Sequence, residues 1–200
     1  MTDDTRRFAS FHIQDKTMNT ESLVSTPVGK VFARVLATAM ESRLRYRLFA
    51  PTKILEGVDN LPGRKVLEVG CGTGYFTVPA ARLIGERGSL VAMDIVPESV
   101  EMVSRKVEAA GLQNVRVIKG DGLRTNLDTA SFQTIILFGV IPAPMVPMKP
   151  LLTELHRVLR PEGNLAVWPP IPGWLPQSVL NTGLFTESSK RNGVYNFKRM

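Results

Sequence analysis

The stretch VLEVGCGTGYFT, residues 66–77, runs apolar to Glu68 and then places glycine at 70, 72 and 74. Glycines this dense stop a strand, and a backbone without Cβ admits unusual φ and lets a ligand approach the main chain. A glycine-rich turn between a first strand and its helix marks a nucleotide site in open α/β sheets. A dinucleotide loop needs a third glycine five positions after the first, and that position is Tyr75. Two acids follow: Asp94, twenty residues beyond Gly74 at the end of the next apolar run, and Asp121 inside Gly120-Asp121-Gly122. Each has a plain reading, Asp94 as a helix cap before Pro97-Glu98 and Asp121 as a turn residue. Those readings do not explain why both acids and the glycines fall on one edge of a sheet.

The elements that would bring them together are legible as periodicity. Residues 1–24 are polar and aperiodic and read as a flexible tail. From Ser25-Thr26-Pro27, apolar residues at helical spacing predict a helix over 28–49, which Pro51 ends. With a short helix over 51–56, it makes residues 25–60 a helical cap. Beyond residue 61, apolar strands at 66–69, 90–93, 115–118, 135–140 and 165–167 alternate with helices at 75–84, 98–110 and 151–159. Such alternation argues for a parallel sheet covered on both sides. Asn192-Gly193, between residues 184–191 and 194–198, is a hairpin signal, so the last two strands should pair antiparallel at one edge. Pro79 falls inside the helix after the glycines and predicts an irregular first turn there.

Four segments in order, VLEVGCGTG, VAMDIVPESVE, VIKGDGLRTNL and LLTELHRVLRPEGNLAV, resemble class I S-adenosylmethionine-dependent methyltransferases. The likeness is to the type 11 group, which includes ubiquinone/menaquinone methyltransferases, and it runs from about Glu41 to Phe197. It implies an α/β Rossmann-like three-layer sandwich whose seven-stranded sheet is mostly parallel, with the last strand antiparallel at the edge. Extra N-terminal helices would precede a cofactor-binding methyltransferase domain over 61–200. The resemblance also implies roles. Asp94 would accept the ribose hydroxyls of S-adenosylmethionine, Ile95 would pack on the adenine, and Asp121, beside Gly122, would accept the adenine amine. Glu68 and the Gly70, Cys71, Gly72 and Gly74 backbone would face the methionine end, and Phe138 would border the methyl group. The product would be S-adenosylhomocysteine. Phe132-Gln133 replaces the family's common Phe-Asp before strand four.

No catalytic residue stands out. His12 lies in the tail, His156 reads as a surface residue beside Arg157, and Cys71 reads as structural rather than reactive. The run from Phe138 to Pro144 has neither the Asn/Asp-Pro-Pro-aromatic mark of nucleic-acid amino methylation nor acids for a metal. With one cysteine there is no disulfide, arsenite site or multi-cysteine metal site. Tyr46, Phe49, Pro142 and Trp168 form an apolar rim that suggests a small apolar or aromatic acceptor. Trp168 and Trp174 capping the core is the alternative. A non-catalytic S-adenosylmethionine-binding module and a dinucleotide oxidoreductase also stay open.

The formal charge of +7 is spread along the chain, with Arg43, Arg45 and Arg47 read as solvated or paired, and no nucleic-acid partner is expected. No apolar run reaches the roughly 20 residues of a membrane helix, and the first twenty residues lack a signal-peptide pattern. A reducing, cytoplasmic setting suits the single cysteine. A homodimer is left open beside a monomer.

Overall fold

The computed structural model describes residues 50–141, 146–169 and 176–200. The expected tail, the helix over 28–49, and Tyr46, Phe49 and Pro142 lie outside them. The elements run α1 (Pro51–Leu55), β1 (Lys65–Val69), α2 (Thr77–Ile84), β2 (Ser89–Asp94), α3 (Pro97–Ala109), β3 (Val115–Lys119) and β4 (Phe132–Phe138). They continue α4 (Met148–Val158), β5 (Leu159–Trp168), α5 (Gln177–Leu180), β6 (Phe185–Arg191) and β7 (Val194–Arg199).

The strands form one seven-stranded sheet in the order β3-β2-β1-β4-β5-β7-β6. The first five are mutually parallel, and β7 pairs antiparallel with both β5 and β6. This corrects one expectation: the antiparallel strand lies inside the sheet, and β6 takes the edge. The tight turn of Asn192 (φ 48°) and Gly193 (φ 79°) folds β7 back between β5 and β6.

Side-chain alternation divides the core. Leu67, Ile135, Leu137, Leu165 and Val167 meet Leu151, Leu152, Leu155 and Val158 of α4 on one face. Val66, Leu90, Ile136 and Ala166 meet α1 and α2 on the other. Each fully buried α4 leucine is worth about 2 kcal/mol.

Two of the boundaries that differ from the periodicity have a local cause. Helix α2 begins at Thr77, so Pro79 is its third residue, where its N–H would have had no intrahelical partner; no hydrogen bond is broken. Strand β5 begins at Leu159 directly after α4, because its register against β4 shifts between Leu159 and Asn164 and lets Pro161-Glu162-Gly163 bulge out.

Candidate functional site

The site is built where β1 stops. Gly70 and Cys71 both donate their backbone N–H to the Met93 carbonyl, at 2.8 and 3.0 Å, which stitches the loop to the end of β2. Gly70, Gly72 and Gly74 all have positive φ, at 74°, 53° and 80°. At Gly70 space is decisive as well, since a Cβ would stand 2.5 Å from Val140 Cγ2. Asp94 holds the next turn: its Oδ2 accepts the Gly72 N–H at 2.8 Å and its Oδ1 accepts the Val96 N–H at 2.9 Å. Asp94 thus makes a side-chain turn onto Val96 and does not cap α3, whose N-cap Val96 has no side-chain cap bond, and each Asp94 oxygen keeps a lone pair. Burial pushes this carboxyl above its ordinary value, and the N–H groups of Val96, Gly72 and Ile95 pull it back.

Asp121 lies beyond β3 and accepts the Leu123 N–H at 2.9 Å, a side-chain turn. The loop that follows is latched to α4. Glu154 Oε1 accepts both the Thr125 N–H and its hydroxyl, at 2.9 and 2.6 Å. Arg157 donates to both Glu154 oxygens and to the Leu127 carbonyl. These bonds, Arg157 first, hold the Glu154 carboxyl down at about 2.

Gly70, Asp94, Ile95, Asp121 and Gly122 line a single cleft of about 550 Å³, open to solvent, at the carboxyl ends of β1, β2 and β3. The strand order reverses beside β1, the place where open α/β sheets bind ligands. Leu123, Val140, Val146, Pro147 and Leu151 complete an apolar wall. Periodicity marks Leu151 only as core and Val140 as the end of a strand, Val146 and Pro147 lie in the apolar run that follows that strand, and Leu123 carries no signal of its own.

The remaining candidates sit elsewhere. Glu68 is buried beneath the loop and accepts the Thr77 hydroxyl at 2.7 Å. Burial, together with the Asp94 charge and against the Thr77 bond, raises its carboxyl to about 8, so it holds its proton at neutral pH. Cys71 is buried as well, and burial, then Glu68 and Asp94, pushes its thiol up, which disfavours the thiolate. Phe138 packs edge-on against Phe76 at 5.0 Å, and Phe76 against Trp168 at 5.7 Å, so both side chains belong to the α1–α2 core rather than to the cleft wall. His156 meets Phe185 edge-on, and its Nε2 lies 3.0 Å from the Met200 carbonyl, near the amino end of β5 and far from the cleft. Among the described residues no cluster of His, Cys, Asp or Glu is placed to hold a metal, and no helix is long and apolar enough to cross a membrane.

This arrangement is that of a Rossmann-like methyltransferase. Residues 66–163 match the family described as Methyltransferase domain. The chain is 35% identical over 118 residues to a protein-L-isoaspartate O-methyltransferase of Pyrococcus horikoshii, covering 58% of this chain and 51% of that protein. It is 32% identical over 102 residues to a demethylmenaquinone methyltransferase of Geobacillus stearothermophilus, covering 50% and 43%. The chain thus spans about half the length of the curated relatives it matches. A crystal structure of an S-adenosylmethionine-dependent methyltransferase from Aquifex aeolicus superposes with a TM-score of 0.68 at 24% identity, over 83% of this chain and 97% of that one; this likeness establishes the fold. Residues 66–163 are thus a methyltransferase domain of the class I S-adenosylmethionine-dependent kind.

The residues present fit that family's cofactor. Two carboxylates with spare lone pairs face one cleft. A Cβ at Gly70 would meet Val140, and one at Gly122 would come within 2.9 Å of Val69 Cγ1. Within the glycine loop the Thr73 hydroxyl is buried without a hydrogen-bond partner. Asp94 and Asp121 can each accept from hydroxyl or amine donors, with Ile95 and Leu123 as apolar flanks.

Proposed function

We propose that this protein transfers a methyl group from S-adenosylmethionine to a small apolar or aromatic acceptor. The observation that carries the reading is Asp94: one carboxylate ties the glycine loop to the turn before α3 and faces the same cleft as Asp121 and Gly70. The cofactor, when bound, supplies an already electrophilic methyl group. The protein's task is then to orient and to exclude water, and positioning alone can supply several kcal/mol. Asp94 would hold the ribose hydroxyls and Asp121 the adenine amine. The Glu154–Arg157 latch would keep the Asp121 loop in place. Glu68, neutral beneath the loop, would support the loop's shape through Thr77.

The acceptor class rests on the cleft's other wall. Val140, Val146, Pro147 and Leu151 are apolar, and among the described lining residues Asp94 and Asp121 are the only ionisable groups. With no histidine there to take a proton, an acceptor atom that is already a good nucleophile suits this wall. By apolar surface alone, demethylmenaquinone, among the relatives' named substrates, suits this wall better than protein L-isoaspartate, whose carboxylate would instead suit the lack of a base. The N-terminal residues 25–60 complete the proposal as a cap. Asn192, in the turn at the carboxyl-end rim of the sheet, donates to the Lys53 carbonyl at 2.7 Å, so α1 starts from that rim.

The test is calorimetric titration of the full chain with S-adenosylmethionine and S-adenosylhomocysteine, alongside Asp94→Ala. Micromolar binding that the variant largely loses is the expected result. No binding by folded wild type would sink the reading, and binding of a nicotinamide dinucleotide instead would replace it. Turnover of phenols and quinones, with amines and thiols as comparison, separates an enzyme from a cofactor-binding module.

A further inference from the structure

The connection from β3 to β4, residues 120–131, contains no helix. Among the described residues, the half of the sheet formed by β2 and β3 therefore has, on the α4 side, no helix like the one that α4 gives β5. Val91 and Ile118 on that face stay half-buried and Arg116 is exposed. Under the connection lies a groove with about 810 Å³ of open space. Lys65, Ser89, Val115 and Phe132, which line it, are the first residues of their strands, so it sits at the opposite end of the sheet from the cofactor cleft.

Its chemistry is uneven. Val91 and Leu127 supply apolar surface, while Phe132, in the wall, is itself buried. Lys65 and Arg116 bring two cations, and neither forms a salt bridge among the described residues. The Lys65 ammonium stands 5.4 Å from the centre of the Phe132 ring. Asp128 is the one acid in the described lining, and its charge acts on Arg157. Asn114 commits its amide to the Ala81 and Gly85 carbonyls. Ser131, in the groove wall, carries a buried Oγ with no hydrogen-bond partner.

We propose that this groove is a second ligand site, for a small anion, phosphate or carboxylate, carried on a flat apolar group. Two cations without carboxylate partners at one mouth attract an anion and can bond it with charge assistance. A buried hydroxyl without a partner calls for an acceptor, which an anion's oxygens provide. The half-buried Val91 and Leu127 give the groove an apolar side that suits the flat apolar group. The comparable cavity volume, about 370 Å³, lies at the low end of the ~300–1,000 Å³ usual for small-molecule sites. The site stands independently of the cofactor reading, because the two lie at opposite ends of the same strands.

Phenyl phosphate, inorganic phosphate and phenol, each titrated calorimetrically into the full chain, test this. The titrations are repeated on the Lys65→Met, Arg116→Met double variant, on Ser131→Ala, and with S-adenosylhomocysteine present. Phenyl phosphate should bind more tightly than either fragment. The double variant should weaken it about tenfold or more and Ser131→Ala about threefold. S-adenosylhomocysteine should not compete. Lys65 and Arg116 are exposed, so an unchanged melting temperature verifies the fold of the double variant. No binding of phenyl phosphate at millimolar concentration, phenol binding as tightly, an unaffected double variant, or competition by S-adenosylhomocysteine each overturns the proposal.

Discussion

Replacing Glu68 by Gln should make the protein relatively more stable as the pH rises. Glu68 is buried under the glycine loop, and its carboxyl moves from an ordinary value of 4.5 to about 8, burial being the main cause. The folded chain then keeps this proton up to about pH 8, while the unfolded chain loses it near 4.5. Between those values the native state binds more protons than the unfolded state, so stability falls as pH rises through that window. At about 1.4 kcal/mol for each pH unit, the ceiling is about 5 kcal/mol. Relaxation and water entry reduce such penalties, and about 2–3 kcal/mol is the working expectation. Gln has nearly the same volume, does not titrate, and still offers an acceptor to the Thr77 hydroxyl, which lies 2.7 Å from Glu68 Oε2. Urea unfolding of both proteins at pH 5, 7 and 9 reads the difference directly. Wild type should lose about 2–3 kcal/mol relative to Glu68→Gln between pH 5 and pH 9. Parallel curves would mean that Glu68 is solvated and charged, and the account of a neutral acid supporting the loop would be wrong.

Three further substitutions probe the frame around the cleft. Gly70→Ala combines a φ of 74° with a Cβ 2.5 Å from Val140 Cγ2, and should cost about 2 kcal/mol or more in urea unfolding and weaken S-adenosylhomocysteine at least tenfold. Glu154→Ala removes the acceptor for Thr125 and Arg157, with an expected loss of about 2 kcal/mol at pH 7. In wild type this contribution, complete above pH 4.5, should fade as pH falls toward 2, which an acid-unfolding series of both proteins would reveal. Asn196→Leu strands the Asn164 amide, the Asp59 N–H and the Gly57 carbonyl, and should cost about 3 kcal/mol and hasten proteolysis around residues 50–60.

Local chemistry made much of this molecule readable from its chain. The glycines at 70, 72 and 74 announce a backbone of positive φ, and the structure shows each of them there. Asn192-Gly193 announces a hairpin, and the strand–helix alternation a parallel sheet, because these signals reside within a few neighbouring residues. Asp94, Asp121 and Gly70 also come together at one cleft, since strand ends on one side of a parallel sheet have nowhere else to meet. What the chain could not disclose depends on partners far apart in it. Asp94 binds Gly72 across 22 residues, Thr125 finds Glu154 across 29, and Asp59 reaches Asn196 across 137. No period or spacing encodes such pairs; the order of the strands does. That order also places β7 inside the sheet and turns Phe138 and Trp168 into the core beside Phe76. It likewise opens the groove below residues 120–131, where a sheet face keeps its apolar surface and its cations because, among the described residues, no helix packs over it.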